Sequence, residues 1–190
     1  MSYLVEELIA KSSLISMVAF LGIFLVAFSI INGNAFGVAK LKQLTGGIGI
    51  IDMEPGYTVD KAYNILESQG AEGRAYYLKR IIPMDFIFPL TYMLFYASAL
   101  LYLQKLFHPQ NTIVQYAVIV PLLAAVCDYS ENLAIIRMLL NYPQRLVMTA
   151  RIANFFTVSK LLFIGISVVS IIMILIVNLI IRFAAAIRTT

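Results

Sequence analysis

The sequence has one cysteine, one histidine and no tryptophan among its 190 residues. A lone Cys127 excludes an internal disulfide and paired-thiol redox chemistry within one chain, so the four-helix quinone reductases that use CxxC pairs are ruled out. The claudin-like pattern of tryptophan with paired cysteines is excluded for the same reason. Because the only histidine is His108, the chain cannot supply two histidines for haem ligation.

Charged residues are also scarce, at 13% of the chain, whereas hydrophobic residues make up 61% and the mean hydropathy is +0.88. This composition predicts an integral membrane protein rather than a soluble one. Four apolar segments each reach the roughly 17–25 residues that a helix needs to cross a bilayer. They are residues 14–31, 81–103, 112–140 and 152–181. The acids Glu6 and Glu7 before the first segment favour a retained helix over a secretory signal.

The sequence therefore predicts one all-α membrane domain over residues 1–190, a four-helix transmembrane bundle with a long polar first loop at 32–80. Within this loop, residues 58–69 form a predicted amphipathic helix with Thr58 as N-cap and Gly70 as its stop. Its apolar residues recur at helical spacing on one face: Val59, Ala62, Tyr63 and Leu66. That face suits either the bilayer surface or the bundle.

Two further motifs of the first loop have structural interpretations. The run LTGGIGIID at 44–52 lacks the spacing of a phosphate-binding loop, so it predicts a turn. Further on, Tyr76 and Tyr77 stand beside Lys79 and Arg80. Aromatic and basic residues together are typical of the membrane interface, which predicts that both tyrosines anchor the second span at headgroup level.

Basic residues are unequally divided between the two sides of the four spans. Both termini and the connection at 104–111 share one side, which carries four of them: Lys11, Lys105, Arg182 and Arg188. Loops 32–80 and 141–151 share the other, and that side carries nine: Lys40, Lys42, Lys61, Arg74, Lys79, Arg80, Arg137, Arg145 and Arg151. Because lysine and arginine concentrate in cytoplasmic loops, the second side is predicted to be cytoplasmic and both termini are predicted to lie opposite.

The third span contains polar residues that its apolar surroundings do not explain. Asp128, Glu131 and Asn132 occur at i, i+3 and i+4, so a helix places them on one face. An ionised side chain near the middle of a bilayer costs roughly 2.5–3.5 kcal/mol, and such residues normally face the bundle interior. The sequence thus predicts a polar cavity that opens toward the long loop.

Partners for these acids come from the second and fourth spans. The second span offers Asp85, Tyr92 and Tyr96, and the fourth offers Asn154, Thr157 and Lys160. At 1.5 Å per residue, Glu131 and Lys160 lie about 13 and about 12 Å from the same side of the bundle. The matching depth predicts a Glu131–Lys160 pair, with Asp128 either protonated or hydrogen-bonded to Tyr92 or Tyr96.

Three classes of function fit these residues. The first is a binding or transport protein whose cavity holds a lipid, an amphiphile or a proton. Its candidate ligand-binding residues are Asp85, Tyr92, Tyr96, Asp128, Glu131, Asn132, Asn154, Thr157 and Lys160. The second, less favoured, is a metal-dependent lipid-modifying enzyme using Asp85, Asp128 and Glu131; the third is a structural or accessory subunit. No cofactor, bound metal or nucleic acid is expected. Membrane lipids are the expected partners, and a homo-oligomer or a partner membrane subunit stays open.

Overall fold

The structure is a computed structural model that describes residues 2–107 and 112–188, and within these ranges it is helical and contains no strand. His108 lies outside the described residues. The α-helices in chain order are α1 (Ser2–Lys11), α2 (Leu14–Asn32), α3 (Val38–Leu44), α4 (Val59–Ser68), α5 (Gly70–Tyr76), α6 (Ile82–Phe107), α7 (Thr112–Tyr116), α8 (Val120–Leu140) and α9 (Val147–Arg188).

Four helical stretches are long and apolar enough to cross a membrane: 14–32, 70–107, 114–140 and 147–181. Two of them begin earlier than the sequence predicts. A π-helical turn at Tyr77–Ile81 joins α5 to α6, so the second stretch is continuous from Gly70, and the fourth begins at Val147. The all-α, four-helix prediction is confirmed at this level.

Helix α6 lies at the centre of the bundle and packs against α2, α8 and α9. Helices α8 and α9 form the most extensive pair, and both contribute small buried residues to one hydrophobic cluster: Ala134 from α8 and Ala150 and Ala153 from α9. Helix α2, in contrast, packs mainly against α6 and makes few contacts with α9. The bundle is therefore closed on the α8 side and less closed between α2 and α9.

The long loop folds against one end of the bundle. Its helix α4 has Thr58 as N-cap, whose hydroxyl accepts a hydrogen bond from the Lys61 backbone N–H at 3.2 Å. Gly70 follows it with φ +66°, a left-handed conformation that favours glycine. Residues of the predicted apolar face are buried in the same cluster as residues of α8 and α9. The amphipathic helix is thus confirmed, and its apolar face packs on the bundle.

The prediction that Tyr77 anchors the second span at the membrane interface is wrong. Its side chain is completely buried, and its hydroxyl donates a 2.7 Å hydrogen bond to Oδ1 of Asp52 in the loop. Tyr76 is half-buried and donates to the main-chain oxygen of Phe36. The loop covers this part of the chain, so two tyrosines that the sequence places at an interface instead attach the loop to it. Lys79, in contrast, is exposed.

Candidate functional site

Lys160 of α9 lies between the two acids of α8. Its ammonium donates a 3.1 Å hydrogen bond to Oδ1 of Asp128 and lies 2.6 Å from Oε2 of Glu131. The second contact is an ion pair that does not have the geometry of a hydrogen bond, so Oε2 of Glu131 accepts no hydrogen bond. All three side chains are at least 90% buried. The pair predicted from depth is present, and the same lysine also binds Asp128.

The remaining carboxylate oxygens are bound by hydroxyl groups. Tyr92 of α6 donates to Oδ2 of Asp128 at 3.0 Å, and Thr157 of α9 donates to Oε1 of Glu131 at 2.6 Å. Tyr96 lies one turn along, with its ring centre 6.3 Å from that of Tyr92, and forms no hydrogen bond to Asp128. Of the two tyrosines offered by the sequence, Tyr92 is the one that binds the acid.

Asn132 connects α8 to α6. Its Nδ2 donates a 3.1 Å hydrogen bond to the main-chain oxygen of Asp85, and its Oδ1 is buried without a partner. The Asp85 side chain is only 4% exposed, and its carboxylate forms no ion pair with any lysine or arginine in the part of the chain that the structure describes. Asp85 is thus a buried acid without an ion-pair partner in these ranges.

Tyr57 connects the loop to the cluster, and the sequence analysis did not single out this residue. Its backbone N–H donates to Oδ1 of Asn154 at 2.7 Å, and its hydroxyl lies 3.3 Å from Oγ1 of Thr157. Gly56 precedes it with φ +149°, and a Cβ there would lie 3.8 Å from the same Asn154 oxygen. Burial raises the pKa of the Tyr57 hydroxyl well above its usual range, so this hydroxyl is a neutral hydrogen-bonding group.

Asp52 is the second residue that the sequence did not single out. It lies in a 3₁₀ turn at Ile51–Met53, is 8% exposed, and accepts the hydrogen bond from Tyr77. No lysine or arginine of the described ranges pairs with it. The one signal in the sequence is its position as a single acid in an apolar run, between Ile50, Ile51 and Met53.

A cavity of about 270 Å³ lies next to these acids, in the space between α2 and α9. Its polar lining residues are Asn32, Asp52, Asp85 and Lys160. Most of its other walls are apolar, with Phe28 of α2, Phe88 of α6, and Leu161 and Ile164 of α9 among them. The site therefore combines charged groups with apolar walls, and it lies between two helices that make few contacts with each other.

The charges around the cavity are unequal. The described cluster contains four acids and one cation, Lys160, which forms ion pairs with two of the acids. The four acids are Asp52, Asp85, Asp128 and Glu131. Within residues 2–107 and 112–188, no group of three or more His, Cys, Asp or Glu side chains converges as a metal site. Asp85, Asp128 and Glu131 therefore do not form the three-carboxylate centre that the enzyme hypothesis requires.

All nine candidate residues lie in or beside this cluster, but they make different kinds of contact. Asp128, Glu131, Lys160, Thr157 and Tyr92 contact one another directly, whereas Asn132 and Asn154 act as links to α6 and to the loop. That these residues bind a ligand stays a prediction.

No protein-family model matches the chain, and neither a curated protein nor a solved structure is similar enough to be matched to it.

Proposed function

We propose that the chain is a multi-pass membrane protein that binds an amphiphile in the cavity between α2 and α9. The observation that carries the proposal is this cavity, which is lined by two acids, Asp52 and Asp85, and otherwise mostly by apolar side chains. Large apolar side chains on the outer faces of α2 and α9 support the membrane setting, for example Val26 and Leu162 at 60% and 59% exposure.

The orientation follows from the basic residues. Loops 32–80 and 141–151 carry most of the lysines and arginines, so we place them on the cytoplasmic side with both termini opposite. In that orientation the cavity lies in the cytoplasmic half of the membrane, because the loop residue Asp52 forms part of its wall.

Binding explains the charges better than a purely structural network does. A network that only held helices together would gain by pairing each buried charge, because an unpaired ion in a dry interior is costly. Here Lys160 is shared by Asp128 and Glu131, while Asp52 and Asp85 line the same cavity without an ion-pair partner among the described residues. Intramembrane ionisable residues that face a cavity are typical of ligand or ion sites.

A large side chain placed in the cavity tests this proposal without changing any charge. Ile164 lines the cavity, whereas Leu162, two residues earlier, is exposed on the outer face. We expect the wild-type protein and Leu162→Trp to retain a defined amphiphile in native mass spectrometry from mild detergent. We expect Ile164→Trp to lose it at least tenfold because the indole fills the space that the ligand needs.

Thermal unfolding of the two variants shows whether each is folded before binding is compared. If folded Ile164→Trp retains the same species at the same level as Leu162→Trp, the cavity is not its binding site. A wild-type protein that carries no bound species, even after incubation with an extract of its own membrane lipids, would contradict the proposal itself.

A further inference from the structure

The ligand's charge can be inferred from the groups that already have partners. Lys160 is the one cation among the described residues that line the cavity, and it is engaged by Asp128 and Glu131. Asp52 receives one neutral donor, the Tyr77 hydroxyl. The Asn132 amide beside Asp85 donates to its main-chain oxygen. Two carboxylates that are each more than 90% buried are therefore left without an ion-pair partner among the described residues.

We propose that the cavity binds a cationic amphiphile, with its ammonium group between Asp52 and Asp85 and its hydrocarbon chain leaving between α2 and α9. This inference rests on the proposed function and adds the charge of the ligand. An ammonium group would donate charge-assisted hydrogen bonds to both carboxylates, which are stronger than bonds between neutral groups. An anionic headgroup would meet Asp52 and Asp85, and it would gain little from Lys160 because that lysine is already paired with Asp128 and Glu131.

The size and lining of the cavity fit this ligand class. A volume of about 270 Å³ corresponds to roughly nine water molecules of about 30 Å³ each, enough for a small ammonium headgroup and its first methylene groups. Phe28 of α2 and Leu161 and Ile164 of α9 line the cavity, and these apolar side chains suit a hydrocarbon chain. A divalent metal ion fits less well, since no three ligating side chains converge within the described ranges.

Three single-chain probes of matched length separate charge from hydrophobicity, and a fourth presents an ammonium group on a phospholipid. They are dodecylammonium, dodecanol, dodecanoate and a phosphatidylethanolamine, which carries its ammonium on a phospholipid. Each probe is titrated into the protein in non-ionic detergent, and native mass spectrometry measures the fraction of protein that carries a bound probe. We expect dodecylammonium to bind at least tenfold more tightly than dodecanol, and dodecanoate to bind least.

Variants then locate the binding site of the ammonium. Asp85→Asn and Asp52→Asn should each weaken dodecylammonium binding by about tenfold or more and leave dodecanol unchanged, because only the charged probe uses the carboxylates. The matched control is Glu67→Gln, an exposed acid of α4 outside the cavity, which should bind as the wild type does. Thermal unfolding of every variant in the same detergent confirms that losses reflect binding.

The outcomes separate this inference from the proposed function. Phosphatidylethanolamine binding that is lost in Asp85→Asn would support the ammonium site and assign the ligand to a phospholipid headgroup. If dodecanol or dodecanoate binds as well as dodecylammonium, and Asp85→Asn has no effect, the cationic ligand is overturned while amphiphile binding stands. If no probe binds in a manner that Ile164→Trp abolishes, the proposed function fails as well.

Discussion

Replacing Lys160 with methionine is expected to destabilise the protein by about 3–5 kcal/mol, the usual cost of removing one partner from a buried ion pair. Methionine is close to lysine in volume, so the change removes the charge and not the packing. Asp128 and Glu131 would then face each other in a buried cluster without a cation. Tyr92 and Thr157 would still donate to them, but two neutral hydroxyls cannot neutralise two acids.

Unfolding by denaturing detergent, followed by circular dichroism, measures this loss. The matched control is Lys79→Met, because Lys79 is exposed and forms no ion pair in the described structure; its effect should stay within about 0.5 kcal/mol. Adding Glu131→Gln to Lys160→Met should recover much of the stability, since it removes one of the two unpaired acids. Strictly additive losses in this cycle would contradict a direct Glu131–Lys160 pair.

Replacing Gly37 with alanine should give the second large effect, about 1–3 kcal/mol, through overpacking. Gly37 is the N-cap residue of α3 and lies close to the end of α2, so a Cβ there would lie 2.2 Å from the main-chain oxygen of Ile31 and 2.5 Å from that of Ile30. Backbone atoms cannot rotate away as a side-chain end can, so the start of α3 must shift. Val38 and Asp52 both line the cavity, so ligand binding should weaken too.

Gly22→Ala provides the matched control, because a Cβ at Gly22 in the middle of α2 meets no atom within 4 Å. That variant should be neutral or slightly stabilised, since alanine favours a helix over glycine by up to about 1 kcal/mol. Both variants are compared by the same unfolding measurement. A Gly37→Ala protein as stable as Gly22→Ala would mean that the loop does not approach the end of α2 as closely as described.

The helices and the inner cluster could be predicted because they depend on local periodicity. Asp128, Glu131 and Asn132 share a face whatever surrounds them, and a simple depth estimate was enough to match Glu131 with Lys160. Thr58 and Gly70 likewise bound the loop helix through local backbone chemistry. These features require no knowledge of how distant segments meet.

The loop's contribution to the site could not be predicted in this way. Asp52 and Tyr57 reach the cluster because turns carry the chain back over the bundle, and Gly56 adopts a positive φ in one of them. No periodic pattern encodes such a path. The prediction for Tyr77 is wrong for the same reason. Tyrosine beside basic residues is typical of a membrane anchor, but here the loop residue Asp52 binds the buried Tyr77 hydroxyl, which the local sequence does not indicate.

Cryo-electron microscopy of the protein in lipid nanodiscs, with a rigid fusion partner for alignment, would show whether an amphiphile occupies the cavity. We expect a gap between α2 and α9 that contains elongated density, with one end within hydrogen-bonding distance of the Asp52 and Asp85 carboxylates. A map in which α2 closes against α9 would contradict this expectation. So would an empty cavity in a map that resolves the ordered lipids around the bundle.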